Sequence, residues 1–390
     1  MAEVARNPAH KNVPLTEVVD FIGGSQPPKS QFSSTQSDGY VRLIQIRDYK
    51  TDAYKVYVKK SSTKKFCNAD DVMIGRYGPP VFQILRGLEG AYNVALMKAV
   101  PNESVLFKEY LFWFLQCPSI QDYIIGLSQR AAGQSGVNKN ALEKYKIFLP
   151  SLNEQKCIIA KLDALFTRIN SAIDQLQQTL ALSKALFASA LVDAFSDHPS
   201  WQRTKVKDVF RVINGRAYKK PELLSQGKYK VVRIQNLKGG ESYYYSDMEL
   251  AEDKYCKAGD LVFSWSGTPG TSFGAFIWEG EKAIFHYHIW NMEPLVDIDM
   301  RFAYWLLRDL TEEAIAGSRG VAGMLHITKG MMETFDIAIP STMEEQRLVA
   351  EKLDALSEST HALEEATQEK LDHLKSLKAS LLDAAFRGQL

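Results

Sequence analysis

The sequence has few cysteines and no long apolar run, and both absences narrow the class of protein. Its four cysteines, Cys67, Cys117, Cys157 and Cys256, are spaced too widely and irregularly for a zinc knuckle, and they predict no disulfide framework. No run of about eighteen apolar residues occurs, and the first residues lack the apolar core of a signal peptide. These features predict a soluble, cytoplasmic protein whose thiols are buried or incidental.

The sequence also lacks a recognisable catalytic or cofactor motif. The segment GGSQPPKS resembles a phosphate loop, but Pro28 stands where that loop requires a glycine. There is no GxGxxG after a strand and no GxSxG, and GPPVF lacks the Asp or Asn that precedes Pro-Pro in an amino-methyltransferase pocket. His286 and His288 lie in a predicted apolar strand with no third ligand nearby, so they are interpreted as core or loop residues. We predict no catalytic residue, no metal site and no cofactor in this chain.

Excess charge of either sign is small, since the net charge is +1. The charge is nevertheless uneven: residues 1–150 carry 19 Lys and Arg against 13 Asp and Glu, and residues 341–390 carry 6 against 10. No polybasic tail is present. Any binding of nucleic acid must therefore come from local patches.

What the sequence does contain is an internal repeat. KLDAL at Lys161 recurs at Lys352, and LPSLNEQ just before it recurs as IPSTMEEQ. Further upstream, FCNADDVMIGRYG from Phe66 corresponds to YCKAGDLVFSWSG from Tyr255. The chain is long enough for two domains with their own cores. The repeat therefore predicts two globular domains of similar fold, each followed by a long helix.

The two predicted helices have a heptad rhythm of apolar residues and no internal Gly or Pro. Each begins with an S-x-x-E capping box, Ser151 with Glu154 and Ser341 with Glu344. Each can run for about 44 residues, or ~66 Å at 1.5 Å per residue. We expect them to pair antiparallel, although each could instead pack only on its own domain. The predicted seam consists of Ile158, Leu162, Leu165, Ile169, Leu176, Val349, Leu353, Leu356, Leu363, Leu371 and Leu374.

The predicted fold class is α+β, with two similar mixed α/β globular domains joined by a long antiparallel two-helix coiled coil and an internal pseudo-two-fold repeat. The predicted boundaries are 1–150 for the first domain, 151–197 for the first helix, 198–340 for the second domain and 341–390 for the second helix. Within the domains, LIQIRDY from Leu43 and VVRIQNL from Val231 are predicted strands. EYLFWFLQ and FAYWLLRD are predicted buried helices.

Several side chains suit nucleic acid, although a solvated charged loop explains any single lysine equally well. Basic groups that could contact phosphates follow one another in two places. Arg, Gln and Asn can form the bidentate hydrogen bonds that distinguish bases. The candidates in the first domain are Lys29, Arg47, Lys59, Lys60, Lys64, Lys65, Arg76, Gln134, Asn138 and Lys139. Those in the second are Arg216, Tyr218, Lys219, Lys220, Arg233, Gln235, Asn236, Tyr244, Arg319, His326 and Lys329.

The layout resembles the specificity subunit of type I restriction-modification enzymes over essentially the whole chain. The doubled PSLNEQ and PSTMEEQ, the doubled KLDAL and the C-terminal AFRGQL carry the resemblance. It implies that each globular domain is a target-recognition domain that reads one half of a split, asymmetric double-stranded DNA site. It also implies that the helices set the gap between the halves and that the chain ends lie close together.

The same resemblance implies a non-catalytic scaffold. Two DNA adenine methyltransferase subunits and the restriction-translocase subunits would bind it, and S-adenosylmethionine, ATP and Mg would belong to those partners. Two alternatives remain open from the residues alone. One is a coiled-coil connector that does not bind DNA, and the other is a self-contained DNA methyltransferase or nuclease.

Overall fold

The computed structural model describes residues 11–129, 136–196, 198–268, 271–317 and 325–390. The chain divides into two compact units. Unit 1 comprises Met1–Gln177 and Gln368–Leu390, and unit 2 comprises Gln178–Thr367. The globular part of unit 1, up to residue 150, is called head 1 below, and residues 198–340 of unit 2 are called head 2.

In the described part of head 1, short strands and three short helices precede a long helix. Its strands are β1 (Lys11–Pro14), β2 (Val19–Gly23), β3 (Tyr40–Ile44), β4 (Tyr57–Lys59), β5 (Phe66–Cys67), β6 (Val72–Gly75), β7 (Gln83–Leu85), β8 (Gly90–Tyr92), β9 (Leu96–Pro101) and β10 (Lys146–Leu149). Its helices are α1 (Lys108–Phe114), α2 (Pro118–Gln129) and α3 (Lys139–Lys144), followed by α4 (Leu152–Phe195). Its described sheets have the strand orders β2-β9-β6-β7, β4-β3-β8-β5 and β1-β10.

Head 2 repeats this plan. Its strands are β11 (Gln202–Lys205), β12 (Phe210–Asn214), β13 (Tyr229–Val232), β14 (Tyr244–Ser246), β15 (Tyr255–Cys256), β16 (Leu261–Ser264), β17 (Ser266–Gly267), β18 (Gly274–Ile277), β19 (Ala283–Phe285), β20 (Ile289–Pro294), β21 (Leu325–His326) and β22 (Asp336–Ile339). Its helices are α5 (Val206–Val209), α6 (Ile234–Leu237), α7 (Met300–Gly317) and α8 (Lys329–Thr334), followed by α9 (Met343–Phe386). The sheet orders β12-β20-β16-β18, β14-β13-β19-β15 and β11-β22 match those of head 1, and β17 pairs with β21. The predicted internal repeat is confirmed.

The two segments predicted as seven-residue strands are strands only at their start. Both turn into a short helix, at Ile46–Tyr49 in head 1 and at α6 in head 2. A side-chain oxygen three residues on accepts the backbone N–H at each turn: Asp48 Oδ2 from Gln45 and Asn236 Oδ1 from Arg233, both at 2.9 Å. Such a side chain offers the backbone an alternative to the sheet ladder. The alternation of apolar residues therefore overestimated the strand length.

One glycine in each head permits a close crossing of two backbone segments. A Cβ on Gly24 would lie 2.0 Å from the carbonyl oxygen of Asn93, and a Cβ on Gly215 would lie 2.3 Å from that of His286. Both distances are far below any van der Waals contact, so only glycine fits. The crossing joins the end of β2 or β12 to the turn after β8 or β19, where the two four-stranded sheets of each head meet.

Helices α4 and α9 are both 44 residues long and pack antiparallel. In unit 1, Leu162 and Phe166 of the first half of α4 share a core with Leu382 and Phe386 near the end of α9. In unit 2, Leu191 near the end of α4 shares a core with Ala350 and Leu353 near the start of α9. The predicted pairing is confirmed, and the alternative that each helix packs only on its own head is wrong. Among the described residues, no helix is long and apolar enough to cross a membrane.

The seam between the helices differs in detail from the prediction. Of the predicted residues, Leu162, Ile169, Leu353 and Leu371 are buried, while Ile158, Leu165, Leu176, Val349, Leu356 and Leu374 are half-buried. Leu363 is 46% exposed, so its assignment to the seam is wrong. The buried face of α9 includes Thr360 and Thr367, and the Thr360 hydroxyl donates to the Leu356 carbonyl at 2.9 Å. A threonine that bonds its own helix can occupy such a position.

The starts of the two helices are similar but not identical. The Ser151–Glu154 capping box is present, with Ser151 N–H donating to Glu154 Oε2 at 2.9 Å. At α9 the cap is Thr342, whose Oγ1 accepts from the Glu345 N–H at 3.3 Å, so the predicted Ser341–Glu344 pair is wrong. The second copy has one residue more between its proline and its helix. This insertion moves the cap by one position.

A buried glutamine on each long helix binds the head that precedes it. The side-chain oxygen of Gln155 accepts from Phe107 N–H at 2.8 Å, and its amide donates to the carbonyls of Val105 and Pro150, each at 2.8 Å. Gln346 repeats the arrangement with Asp299 N–H at 2.8 Å and the Pro340 carbonyl at 3.2 Å. These glutamines fix where each helix leaves its head.

Candidate nucleic-acid interface

Each head has a half-exposed surface beside its glycine crossing, built on the same backbone frame. We call it the turn surface; in head 1 it comprises residues 76–77 and 93–95, and in head 2 residues 265–266, 286–288 and 326. Arg76 N–H donates to the Ala95 carbonyl at 2.8 Å, and Trp265 N–H donates to the His288 carbonyl at 3.2 Å. The Arg76 and Trp265 carbonyls in turn accept from Val137 at 2.9 Å and Ile327 at 3.2 Å. Arg76 and Trp265 therefore occupy the same position of the repeat.

The side chains on this shared frame differ in chemistry. Arg76 donates from Nη1 to the Val94 carbonyl at 3.2 Å, and Trp265 donates from Nε1 to the Tyr287 carbonyl at 2.6 Å. Val94 is 41% exposed and Tyr287 is 39% exposed. Head 1 thus presents a guanidinium where head 2 presents an indole, each anchored to the tip of the same turn.

The turn surface of head 2 also carries three histidines. The sequence predicted that His286 and His288 lie in an apolar strand. In the structure His286 lies at the start of the turn between β19 and β20, and His288 lies in that turn. Burial, together with His288 and Arg233, lowers the pKa of His286 to about 4. Burial and the nearby His326 lower the pKa of His288. His286 is therefore neutral at physiological pH and offers one donor and one acceptor.

The loop after β13 adjoins this surface, because His286 N–H donates to the Val232 carbonyl at 2.9 Å. Here Arg233 lies over the exposed ring of Tyr244, with 4.3 Å between the guanidinium carbon and the ring centroid. Gln235 donates to the Ser242 carbonyl at 2.9 Å. Asn236 is buried and holds the same loop through its amide, so it positions the loop and has no exposed edge for a base.

Arg216 is committed to an ion pair, and Tyr218 is half-buried. Arg216 forms a bidentate ion pair with Glu222, with N–O distances of 3.1 and 2.9 Å. Burial raises the pKa of Tyr218, whose hydroxyl is enclosed. Lys219 and Lys220, which follow, are exposed. Of this group the two lysines are the ones placed to meet a polyanion.

The lysines of head 1 flank a short helical turn. Lys59 ends β4, Lys60 begins the turn Lys60–Ser62, and Lys64 is exposed just beyond it. The Lys65 carbonyl accepts from Tyr92 N–H at 3.2 Å, next to the turn surface. The backbone of this segment therefore adjoins the turn surface, and Lys59, Lys60 and Lys64 are exposed.

A cation–π pair recurs near the corresponding loop of head 1. The Arg47 guanidinium lies 5.2 Å from the ring centroid of Tyr54, which is 59% exposed. This pair follows β3, as the Arg233–Tyr244 pair follows β13. Exposed Lys29 lies in a separate short turn, Lys29–Gln31.

The other candidates have more local roles or lie elsewhere. Asn138 caps α3 by accepting from Ala141 N–H at 3.1 Å. Lys139 and Lys329 pair with Glu143 and Glu333 along their own helices, each at 3.4 Å. His326 is exposed in β21, with its ring 5.9 Å from that of Trp265. Gln134 and Arg319 lie outside the described residues.

Exposed guanidinium groups beside aromatic faces and lysines suit binding to nucleic acid. Within the described ranges, no group of three His, Cys, Asp or Glu is arranged to hold a metal ion. The structure brings Trp265 and Tyr287 into the candidate interface, which the sequence interpretation missed. The signal was available, since the aligned blocks FCNADDVMIGRYG and YCKAGDLVFSWSG place Trp265 opposite Arg76.

Comparison with known proteins gives a consistent result. The family model described as the type I restriction modification DNA specificity domain matches twice, at residues 9–181 and 199–373. The MjaVIII specificity subunit of a type I restriction enzyme from Methanocaldococcus jannaschii is 22% identical over 97% of this chain and 92% of its own length. The StySPI specificity subunit from Salmonella potsdam is 22% identical over 97% of this chain and 88% of its own length.

Two solved structures share the fold. A chain from a structure of a type I R-M system, described in terms of complex assembly and conformational transition, matches with a TM-score of 0.80 at 20% identity and covers 98% of this chain and 99% of its own. The HsdS subunit from Thermoanaerobacter tengcongensis matches with a TM-score of 0.61 at 20% identity over the full length of both chains.

Proposed function

Because the chain belongs to the type I restriction-modification DNA specificity family and is its non-catalytic specificity subunit, which recognises DNA target sites within the restriction-modification complex, we propose that it reads a bipartite, asymmetric site. Residues 1–150 and 198–340 act as target-recognition domains 1 and 2, and each reads one half of the site. The carrying observation is the turn surface, where one backbone frame presents Arg76 in head 1 and Trp265 in head 2.

A shared frame with different side chains favours two different half-sites. Base identity is read by hydrogen bonds and apolar contacts to base edges, and phosphate contacts position the protein. Exposed lysines in head 1, and Lys219 and Lys220 in head 2, supply the phosphate contacts. Two identical surfaces would read a palindromic site, whereas dissimilar surfaces read an asymmetric one.

The long helices act as the spacer. Residues 151–197 and 341–390 contain α4 and α9, and both helices have the same length and run without a break. Their length determines the unread gap between the half-sites. Inserting or removing whole heptads would change that gap and leave the half-sites as they are.

Partner subunits supply the chemistry. Two DNA adenine methyltransferase subunits bind this chain, the restriction-translocase subunits complete the assembly, and S-adenosylmethionine, ATP and Mg are held by those partners. The similarity to a chain from a type I R-M complex supports an assembly of this kind. Exposed apolar side chains on the long helices, such as Leu182 at 70% and Leu186 at 58%, offer contact surface for partners.

Two measurements test this function. In a salt titration of duplex binding, the logarithm of the association constant should fall linearly with the logarithm of the salt concentration, because phosphate contacts release counterions. Mapping methylated adenines in a host with the partner methyltransferase, with and without this chain, should show a two-part motif only when the chain is present. A chain that bound no duplex and left the methylation map unchanged would be a connector, and the proposal would be wrong.

A further inference from the structure

We propose that Arg76 and Trp265 are the specificity-determining residues of one repeated position, so that head 1 reads a guanine there and head 2 reads a thymine methyl group. The inference rests on the proposed function, since it assigns base-reading roles within the two heads. It goes beyond that function by naming the position and the chemistry of its readout.

Equivalence of the two positions follows from their backbone partners. Each residue follows the last residue of a central strand, Gly75 of β6 or Ser264 of β16. The backbone N–H of each residue donates to the turn after β8 or β19, and its carbonyl accepts from the segment before α3 or α8. The two side chains therefore start from the same place on the shared backbone frame.

Arg76 retains hydrogen-bonding capacity for a base. Of the five N–H groups on a guanidinium, the structure uses one Nη1 group, on the Val94 carbonyl. The exposed ring of Tyr77 lies beside it, with 5.2 Å between the guanidinium carbon and the ring centroid. A guanidinium held at one corner in this way can direct two parallel N–H groups at guanine O6 and N7, the commonest specific arginine contact.

Trp265 has no such capacity, because its single polar hydrogen donates to the Tyr287 carbonyl at 2.6 Å. What it can offer a base is the half-exposed apolar part of the indole, since the rest packs against Trp290 and the core of head 2. The thymine C5-methyl is the apolar group that base pairs display in the major groove, so the position favours thymine. The neighbouring His326, with its ring 5.9 Å away, is exposed and can add a hydrogen bond to the same base pair.

The test compares methylation motifs produced by the full chain with its partner methyltransferase. Arg76→Gln should relax a single guanine position in one half-site, with selectivity falling about tenfold or more, and leave the other half-site unchanged. Trp265→Phe should keep the thymine preference, and Trp265→Arg should shift that position of the other half-site toward guanine.

Arg86→Gln is the matched control for charge. Arg86 follows the end of β7, which pairs with the start of β6, whereas Arg76 follows the end of β6. Arg86 therefore lies at the opposite end of the β6–β7 pair, where it forms an ion pair with Glu109. This variant should leave the motif unchanged.

The proposal is overturned if Arg76→Gln leaves both half-sites unaltered or weakens methylation equally at every position, since the latter is the behaviour of a phosphate contact. If Trp265→Arg fails to fold, as judged by its thermal melting, the Arg76→Gln and Trp265→Phe motifs decide the question. A wild-type chain that directed no two-part motif would instead refute the proposed function itself.

Discussion

Units 1 and 2 repeat one framework and differ in what they place on it. The strand orders, the glycine crossing and the glutamine at the helix start are the same in both. The turn surface differs, with an arginine and Asn93 in head 1 against a tryptophan and His286 in head 2. Residues that hold the backbone together are therefore shared, and residues that face outward are free to differ. A fold organised in this way can change its ligand without changing its core.

The largest expected effect tests the shared crossing. Gly24→Ala and Gly215→Ala should each destabilise their own unit by about 3–5 kcal/mol, because the new methyl group would overlap a backbone carbonyl that cannot move away. Hydrogen exchange resolved by peptide should show lost protection in the mutated unit.

Gly126→Ala and Gly330→Ala are the controls, one in each head. A Cβ at either position meets nothing within 4 Å. Each control should be neutral or slightly stabilising, since alanine favours a helix over glycine by roughly 1 kcal/mol. Equal effects of Gly24→Ala and Gly126→Ala would argue that the crossing is not required.

The second prediction compares the two buried glutamines. Gln155→Leu should reduce the free energy of unfolding of unit 1 by about 2–4 kcal/mol, because it leaves three partly or fully buried backbone groups without this partner. Gln346→Leu should cost unit 2 less, since it loses one bond fewer and one of its bonds is long. Denaturant unfolding of each variant, with exposed Gln177→Leu for comparison, measures the difference. A larger loss of unfolding free energy for Gln346→Leu than for Gln155→Leu would contradict the prediction that Gln155 contributes more.

The third prediction uses the aspartate of the repeated KLDAL. Asp354 accepts from Trp305 Nε1 at 2.8 Å and pairs with Arg301, so Asp354→Asn should destabilise unit 2 by about 1–2 kcal/mol. Burial, then Glu109, raise the pKa of Asp163, which shows that its charge is poorly stabilised. Asp163→Asn should therefore leave the stability of unit 1 unchanged or slightly higher. Thermal melting of the two variants distinguishes these outcomes, and equal losses would show that the two sites are alike.

The smallest effect concerns pH. The pKa of His286 is about 4 in the folded chain, below its usual 6.5, so the unfolded chain binds more protons between these values. The stability contributed by the neutral ring is present above pH 6.5 and is lost as the pH falls toward 4. For a partly exposed ring the loss is about 1 kcal/mol.

His286→Asn, which installs the head 1 residue at the equivalent position, should flatten this pH dependence. His288 and Arg233 also face the ring and are unchanged in the variant. Unfolding followed at pH 4.5 and 7.5 gives the comparison. A variant with the same slope as the wild type would show that His286 does not carry it.

The sequence predicted the architecture well because repeats and heptads are long-range patterns. Two helices free of Gly and Pro could be located to within a few residues, and the doubled blocks identified which strands correspond. The errors came from local hydrogen bonds. Asp48 and Asn236 ended two strands early, and an inserted residue moved the cap of α9 from Ser341 to Thr342.

The candidate interface was harder to predict, because exposure and pairing are not visible in a sequence. Arg216 and Asn236 have suitable chemistry, but an ion pair commits the first and burial encloses the second. Conversely, Trp265 and Tyr287 were not among the sequence candidates, although Trp265 is half-buried and Tyr287 is exposed beside the turn. The heptad pattern also counted Leu363 as seam, but in that part of α9 the buried residues are Thr360 and Thr367, and Leu363 is exposed.

The most direct test of the central claim is a heptad inserted into both α4 and α9, at residues 177/178 and 367/368, followed by mapping of methylated adenines with the partner methyltransferase. Seven added residues lengthen each helix by about 10.5 Å, or roughly 3 base pairs. We predict that both half-sites are retained and that the gap between them grows. An active complex with an unchanged gap, or with a new sequence in either half-site, would contradict the claim that two independent readers are separated by these helices.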